Sequence, residues 1–194
     1  MTKYLLIFSL LINFHLLAKT GNETGLKIPR FVSLKSNEVN LRVGPSKNYP
    51  INIKYIEKNL PIEVIDEFKE WRKIKDFEEN IGWLHKSLIK GERYILTGYN
   101  NEKNTIIYNR PNGERIGSIK KNNIFNLKSC LLNWCKIDNK NLSGWVYKNS
   151  LWGVYDDEIY NKSYLQSIIN QYWKVLDSGL LKALRLQVIK LKNL

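Results

Sequence analysis

Few residues in this chain could make or break bonds, but several could hold a ligand. Only two histidines occur. His15 lies in an apolar N-terminal run, which leaves His85, in Trp83-Leu84-His85-Lys86, as the one candidate base. The thiols are Cys130 and Cys135, and if they are joined no Cys–His nucleophile remains. Asp66 with Glu67, and Asp156 with Asp157 and Glu158, adjoin in sequence. Nothing in their spacing sets two carboxyls about 5–10 Å apart across a substrate, and solvated loops are the simpler reading. No phosphate-cradling glycine loop is present, and two cysteines lack the further ligands a metal requires. The expectation is no catalysis, no metal and no cofactor.

Binding is better served. Arg42 could grip a ligand carboxylate bidentately, or brace a loop by pairing with Glu63 or Glu67. Tyr49 flanks the same turn. Trp71 and Trp83, placed on one face of a small β-fold, would form an aromatic groove. Core packing competes with that role. It leads for Trp83, whereas Trp71, beside a hairpin turn, reads as half-exposed. Trp145 and Trp152 read as core and inter-domain packing.

These residues sit in an internal repeat. Trp71-Arg72-Lys73-Ile74 and Gly82-Trp83-Leu84-His85-Lys86-Ser87-Leu88 return as Trp134-Cys135-Lys136-Ile137 and Gly144-Trp145-Val146-Tyr147-Lys148-Asn149-Ser150-Leu151. A repeat at this distance describes a duplicated small domain rather than a solenoid. Within each copy, period-two alternation marks short strands, and the polar 76–80 stretch suits a hairpin loop. Gly44-Pro45 is a turn signal, and the early proline in Leu60-Pro61-Ile62-Glu63-Val64 suits a strand near an edge. Five short strands result in the first copy, with Ser87-Leu88-Ile89 as a closing 3₁₀ step.

The flanks fix the remaining boundaries. Lys3, the apolar residues 4–17 and then Ala18 have the form of a secretory signal peptide cut after Ala18. That run is shorter than the roughly 18 residues of a spanning helix, although an uncut segment would retain the protein at the inner membrane. Residues 19–30 are polar and read as a flexible leader. The first domain spans 31–92, the second 93–155, and 156–194 forms a basic tail read as helical. Cys130 and Cys135 lie either side of a turn, and in an exported chain they read as a disulfide. Its short loop places its contribution at the lower end of about 2–4 kcal/mol.

The net charge of +13 favours an anionic partner, whether nucleic acid, a lipid surface or an acidic wall polymer. A Lys-, Asn- and Ile-rich composition accounts for the charge equally well without one. The basic tail could lie on an anionic membrane surface, pack on the domains, or do neither.

The ordered set Phe31-Val32-Ser33-Leu34-Lys35, Asn40-Leu41-Arg42-Val43-Gly44-Pro45, Leu60-Pro61-Ile62-Glu63-Val64, Trp71-Arg72-Lys73-Ile74 and Gly82-Trp83-Leu84-His85 closely resembles bacterial SH3-like domains. More narrowly, it resembles exported tandem-domain proteins common in alphaproteobacteria. In the second copy, Tyr108-Asn109-Arg110-Pro111-Asn112-Gly113 departs from the fuller Asn-Leu-Arg-x-Gly-Pro pattern, so the binding expectation falls on the first. The resemblance implies an all-β chain of two tandem small β-barrels. It also implies a non-catalytic, periplasmic role in binding peptidoglycan or its peptides, for which Arg42, Tyr49, Trp71 and Trp83 are the candidate residues. An adaptor docking an extended or Pro-rich peptide of an envelope protein is the alternative. No nucleic-acid partner is expected, because export removes it.

Overall fold

The computed structural model describes residues 19–100 and 103–161. The expected signal peptide and nearly all of the expected basic tail lie outside the described residues. The architecture is all-β, built from two antiparallel sheets.

The first sheet contains β1 (Arg30–Leu34), β2 (Val39–Arg42), β3 (Ile51–Tyr55), β4 (Pro61–Phe68), β5 (Trp71–Lys75), β6 (Ile81–His85) and β7 (Ile89–Lys90). A 3₁₀ turn, Lys86–Leu88, leads into β7. The second contains β8 (Tyr94–Thr97), β9 (Asn104–Tyr108), β10 (Arg115–Lys120), β11 (Ile124–Cys130), β12 (Trp134–Asp138), β13 (Ser143–Tyr147) and β14 (Leu151–Trp152), with β15 (Tyr160–Asn161) added beside β11. Strand order is β3-β2-β6-β5-β4-β1-β7 in one sheet and β10-β9-β13-β12-β11-β8-β14 in the other. Each strand of the second sheet takes the place of its counterpart, so the sequence repeat is also a repeat of topology. The five expected strands gain β1 and β7, which pair with each other. Strand pairing also runs past Tyr155 through β15, so the start of the expected tail belongs to the second sheet.

Alternation fills the two cores. Leu34, Leu41, Ile62, Val64, Ile74 and Leu84 are fully buried in the first, and Ile95, Ile107, Leu127, Ile137 and Val146 in the second. The cores meet. Leu96 and Trp152, from the second sheet, are buried among the first sheet's core residues. The Trp152 indole N–H donates to the Pro61 carbonyl at 2.9 Å. Phe31 packs edge-on against Trp152 at 5.1 Å and against Tyr155 at 4.7 Å. The Tyr155 hydroxyl donates to Glu63 Oε1. Burial and the Glu63 carboxylate both push that phenol's pKa up, so it stays a donor. Cys130 and Cys135 are directly cross-strand and form the expected disulfide.

The leader is not loose. Residues 19–30, expected to be flexible, fold back as a turn against the first sheet, with a Thr20–Lys27 bridge and Ile28 buried. The Glu67 carboxylate holds that turn. It has no exposed side-chain surface and accepts hydrogen bonds from the Thr24 hydroxyl (2.8 Å), the Thr24 and Glu23 amides, and Arg30 (2.8 Å). Arg72 Nε lies 3.3 Å away. A side chain at position 21 would begin 2.3 Å from this carboxylate, which is why Gly21 sits there. Glu67 was expected to be solvated. Instead its carboxylate, on β4, is buried, and two arginines and a ring of donors offset its desolvation.

Burial alone would raise the Glu67 pKa, but hydrogen bonds from Thr24, Arg30 and Glu23 outweigh it and bring it down to about 2. A depressed carboxyl pKa stabilises the fold above the unfolded value, and that stabilisation is lost as pH falls toward the folded one. The urea midpoint should therefore fall between pH 4.5 and pH 2. In Glu67→Gln that acid-dependent portion should be gone and stability near pH 7 lower by about 3–5 kcal/mol. Equal acid slopes in the two proteins would contradict the assignment.

Candidate functional site

The residues singled out for binding lie on the outer face of the first sheet. In β6, Gly82 and Leu84 point to the core, so Ile81, Trp83 and His85 take the other face by alternation. A Cβ at Gly82 would lie 2.6 Å from Leu41 and 2.8 Å from the Arg42 carbonyl. The glycine lets β2 close on β6 and turns Trp83 outward. Trp83 is thus half-buried rather than core, which corrects the leading expectation for it.

Register assembles the site. Arg42 pairs with Trp83, Trp83 with Lys73, and Lys73 with Asp66, giving one row across four strands. Ile51 extends the row beyond Arg42. The next row is Phe68, Trp71 and His85, with the Trp71 and His85 rings edge-to-face at 5.5 Å. Trp71 is half-buried, as expected, and Tyr49 is 46% exposed. Arg42 braces neither Glu63 nor Glu67. Arg30 and Arg72 occupy Glu67, and Lys75 and Tyr155 occupy Glu63. One Arg42 guanidinium nitrogen donates instead to the Tyr49 carbonyl at 2.7 Å, and the Tyr49 ring lies over Gly44, where no side chain could fit beneath it. Arg42 and Tyr49 are therefore coupled within one turn. All four predicted residues sit together.

Sequence reasoning missed Lys73, His85, Ile51 and Ile81 as members of this face. The signal for the first two was present, since period-two counting from Trp71 gives Lys73 and the hairpin register gives His85. His85 Nδ1 accepts from the Ser87 amide and lies 2.7 Å from the Ser87 hydroxyl. That closes the 3₁₀ turn and is a local cap rather than a base placed against a substrate.

The second sheet repeats the register and fills the face. Trp134 pairs with Tyr147, Trp145 with Tyr108, and Lys136 with Trp145, in the places of Trp71–His85, Trp83–Arg42 and Lys73–Trp83. Gly144 meets Ile107 and the Tyr108 carbonyl just as Gly82 meets Leu41 and Arg42. Here, however, Trp134 is 1% exposed and Trp145 5%. Trp134 stacks on Tyr147 at 3.9 Å, Tyr108 packs edge-on against both, and Leu131 joins them. Trp145 therefore belongs to this outer cluster and not to the core or the inter-sheet contact. Trp152 does serve the inter-sheet contact.

Residues 35–91 match the bacterial SH3 domain. No curated protein matches the chain. Among solved structures, the chain is similar to NlpC2 from Trichomonas vaginalis at 11% identity, over 64% of this chain and 48% of that one, with a TM-score of 0.30. It is also similar to an NlpC/P60 family protein from Bacillus cereus ATCC 10987 at 13% identity, over 63% and 55% of the two chains, with a TM-score of 0.28. The chain spans about half the length of each.

If one face is self-filled and the other open, the equivalent tryptophans should differ in what they contribute to folding. Trp134→Ala should destabilise by about 3–5 kcal/mol, in the range for buried aromatics. Trp71→Ala should cost well under half of that. Chemical denaturation of both variants checks this, and equal losses would mean that Trp71 is part of the packing.

Proposed function

Residues 35–91 form a bacterial SH3 domain, and from that premise we propose that the protein is an exported, non-catalytic module of two tandem SH3-like barrels. Its first barrel binds peptidoglycan or the peptides of peptidoglycan. The ligand lies on the face of Trp71 and Trp83, with Arg42 and Lys73 facing its carboxylates and Tyr49 bounding it. One observation carries the reading: the two copies share a register, yet the aromatic face is closed by its own side chains only in the second. The open face combines half-exposed indoles, which supply contact area with a polar edge, and cations spaced across neighbouring strands.

Other features support a binding role over a catalytic one. Both cysteines are consumed in the disulfide, and His85 serves a turn. Two of the closely placed carboxylates are structural. Glu67 holds the leader, and Glu158 accepts a bidentate pair from Arg93 at 2.7 and 3.0 Å. The chain's positive charge suits an acidic polymer of the envelope, and the reading assigns no nucleic-acid partner. The open face would also seat an extended peptide of an envelope protein, and the experiment separates the two ligands.

Purified protein should co-sediment with clean sacculi, and the bound fraction should fall as salt rises and screens the cationic face. Trp71→Ala and Arg42→Ala should each weaken binding about fivefold to thirtyfold, the range of interface hot spots, without loss of the folded signal. Absence of sedimentation at low salt would sink the wall reading and put an envelope-protein partner in front.

A further inference from the structure

The outer face of the first sheet continues past Trp83. Along β5 the residues that share it are Trp71, Lys73 and Lys75, and register sets Lys75 against Ile81 on one side and Glu63 on the other. Trp71 to Lys75 covers about 13–14 Å of strand. At that end the face runs into the second sheet, at a cavity of about 270 Å³. Tyr99, Trp152, Tyr155, Glu63, Lys75 and Asp156 are among the residues that line it.

Lys75 is already engaged: its Nζ lies 3.4 Å from Glu63, 3.3 Å from Glu79 and 5.6 Å from the Trp152 ring centroid, and Glu63 also accepts the Tyr155 hydroxyl. Asp156 differs. It is exposed, and its contact with Lys148 uses the backbone carbonyl, at 3.0 Å. The track is therefore polarised: Arg42 and Lys73 lie at one level, beside an Asp66 that Lys19 approaches at 3.9 Å, and carboxylates outnumber cations at the other, where Glu63 and Glu79 share Lys75 and Asp156 stands beyond them.

We infer that the cleft between the two sheets is the second half of one elongated site, which takes a linear peptide carrying both a carboxylate and a free amine. The carboxylate faces Arg42 and Lys73, the stem crosses Ile81 and Lys75, and the amine reaches Asp156 beside the Tyr99 ring. This rests on the open face being a ligand site, and adds the direction and minimum length of the occupant. A single amino acid cannot touch both levels. Three or more residues, at about 3.3 Å each, can.

The test is calorimetric titration of the whole protein with the soluble stem tetrapeptide of the cell wall, and with the same peptide after acetylation of its amines. Acetylation should weaken binding about threefold to fivefold, the scale of an exposed charge pair. Asp156→Asn should weaken the free-amine peptide by a similar factor and leave the acetylated one unchanged, the pattern a double-mutant cycle reads as direct coupling. That substitution keeps the backbone carbonyl used by Lys148. If neither acetylation nor Asp156→Asn changes affinity while Arg42→Ala does, the cleft site is overturned and the open face stands. No tetrapeptide binding by a protein that still sediments with sacculi also overturns the cleft. Failure of both overturns the reading beneath it.

Discussion

The indole of Trp152 is the contact on which the rest of the arrangement depends. It is supplied by the second sheet and buried against the first sheet's core, and its only polar atom is satisfied by the Pro61 carbonyl. Burying a tryptophan removes about 150–250 Å² from water, of order 4–6 kcal/mol at the usual coefficient. An unpaired indole N–H would give part of that back. The hydrogen bond thus makes one orientation of the two sheets better than its neighbours. Around it, Phe31 and Tyr155 with Glu63 add contacts that only the same orientation satisfies, and Arg93, held by Glu158, lies over the Phe31 ring. Arg93 also donates to the Gly153 carbonyl. Gly153 has φ of +110° and its Cβ position lies 2.6 Å from the Tyr94 carbonyl, so the chain leaves Trp152 along a path open only to glycine. Two sheets that could have swung on a short connection are locked by one side chain and the ring of contacts around it.

The lock explains how duplication produced two different faces. Glycine at 82 and at 144 performs the same task, letting the neighbouring strand approach and sending the following tryptophan outward. From there the copies diverge by substitution at matched positions. Tyr147 stands where His85 does, and Tyr108 where Arg42 does. An aromatic at each of those places turns the outer face inward upon itself, producing a second small core of Trp134, Trp145 and Leu131. A histidine and an arginine leave the indoles half-exposed. The disulfide between Cys130 and Cys135 ties β11 to β12, the strand that carries Trp134, so the second sheet is the more braced partner and the first the one with surface to offer.

Much of the fold was legible because its signals are local. Period-two runs, Gly-Pro and the polar hairpin loop each depend on a handful of adjacent residues, and the Trp-x-Lys-Ile repeat revealed the duplication. What was illegible depends on distant partners. The leader reads as loose because nothing in residues 19–30 announces that Glu67, more than forty residues away, will collect its amides. The partner of Arg42 was undecidable because several bases compete for Glu63 and Glu67, and the outcome follows from register. Trp83 was read as core because alternation permits either face. Gly82 decides it, but only once Leu41 and the Arg42 carbonyl are known to lie against it. The four candidate residues were legible as types, whereas the contrast between an open and a closed face required Tyr108, Tyr147 and Leu131 to be seen converging.

Charge completes the account of why contact area must do the discriminating. The acids that hold this structure together, Glu63, Glu67 and Asp76, are buried. Asp76 is spent on the 76–80 turn, where it accepts from Tyr55, Asn80 and the Glu78 amide. Among buried bases, Arg72 answers Glu67 and Lys148 ties down the carbonyls of Asp156 and Glu158. Among the described residues three acids and two bases are thus buried, so burial removes slightly more negative than positive charge from the surface of a chain whose net charge is +13. Such a surface draws in any polyanion, but beyond about 8–10 Å physiological salt cancels most of the attraction. On the reading proposed above, selection among anionic partners then comes from groups that act at contact, and on the open face these are Trp71, Trp83 and the Arg42–Tyr49 turn. In that reading the field gathers ligands, and the indoles and the guanidinium choose among them.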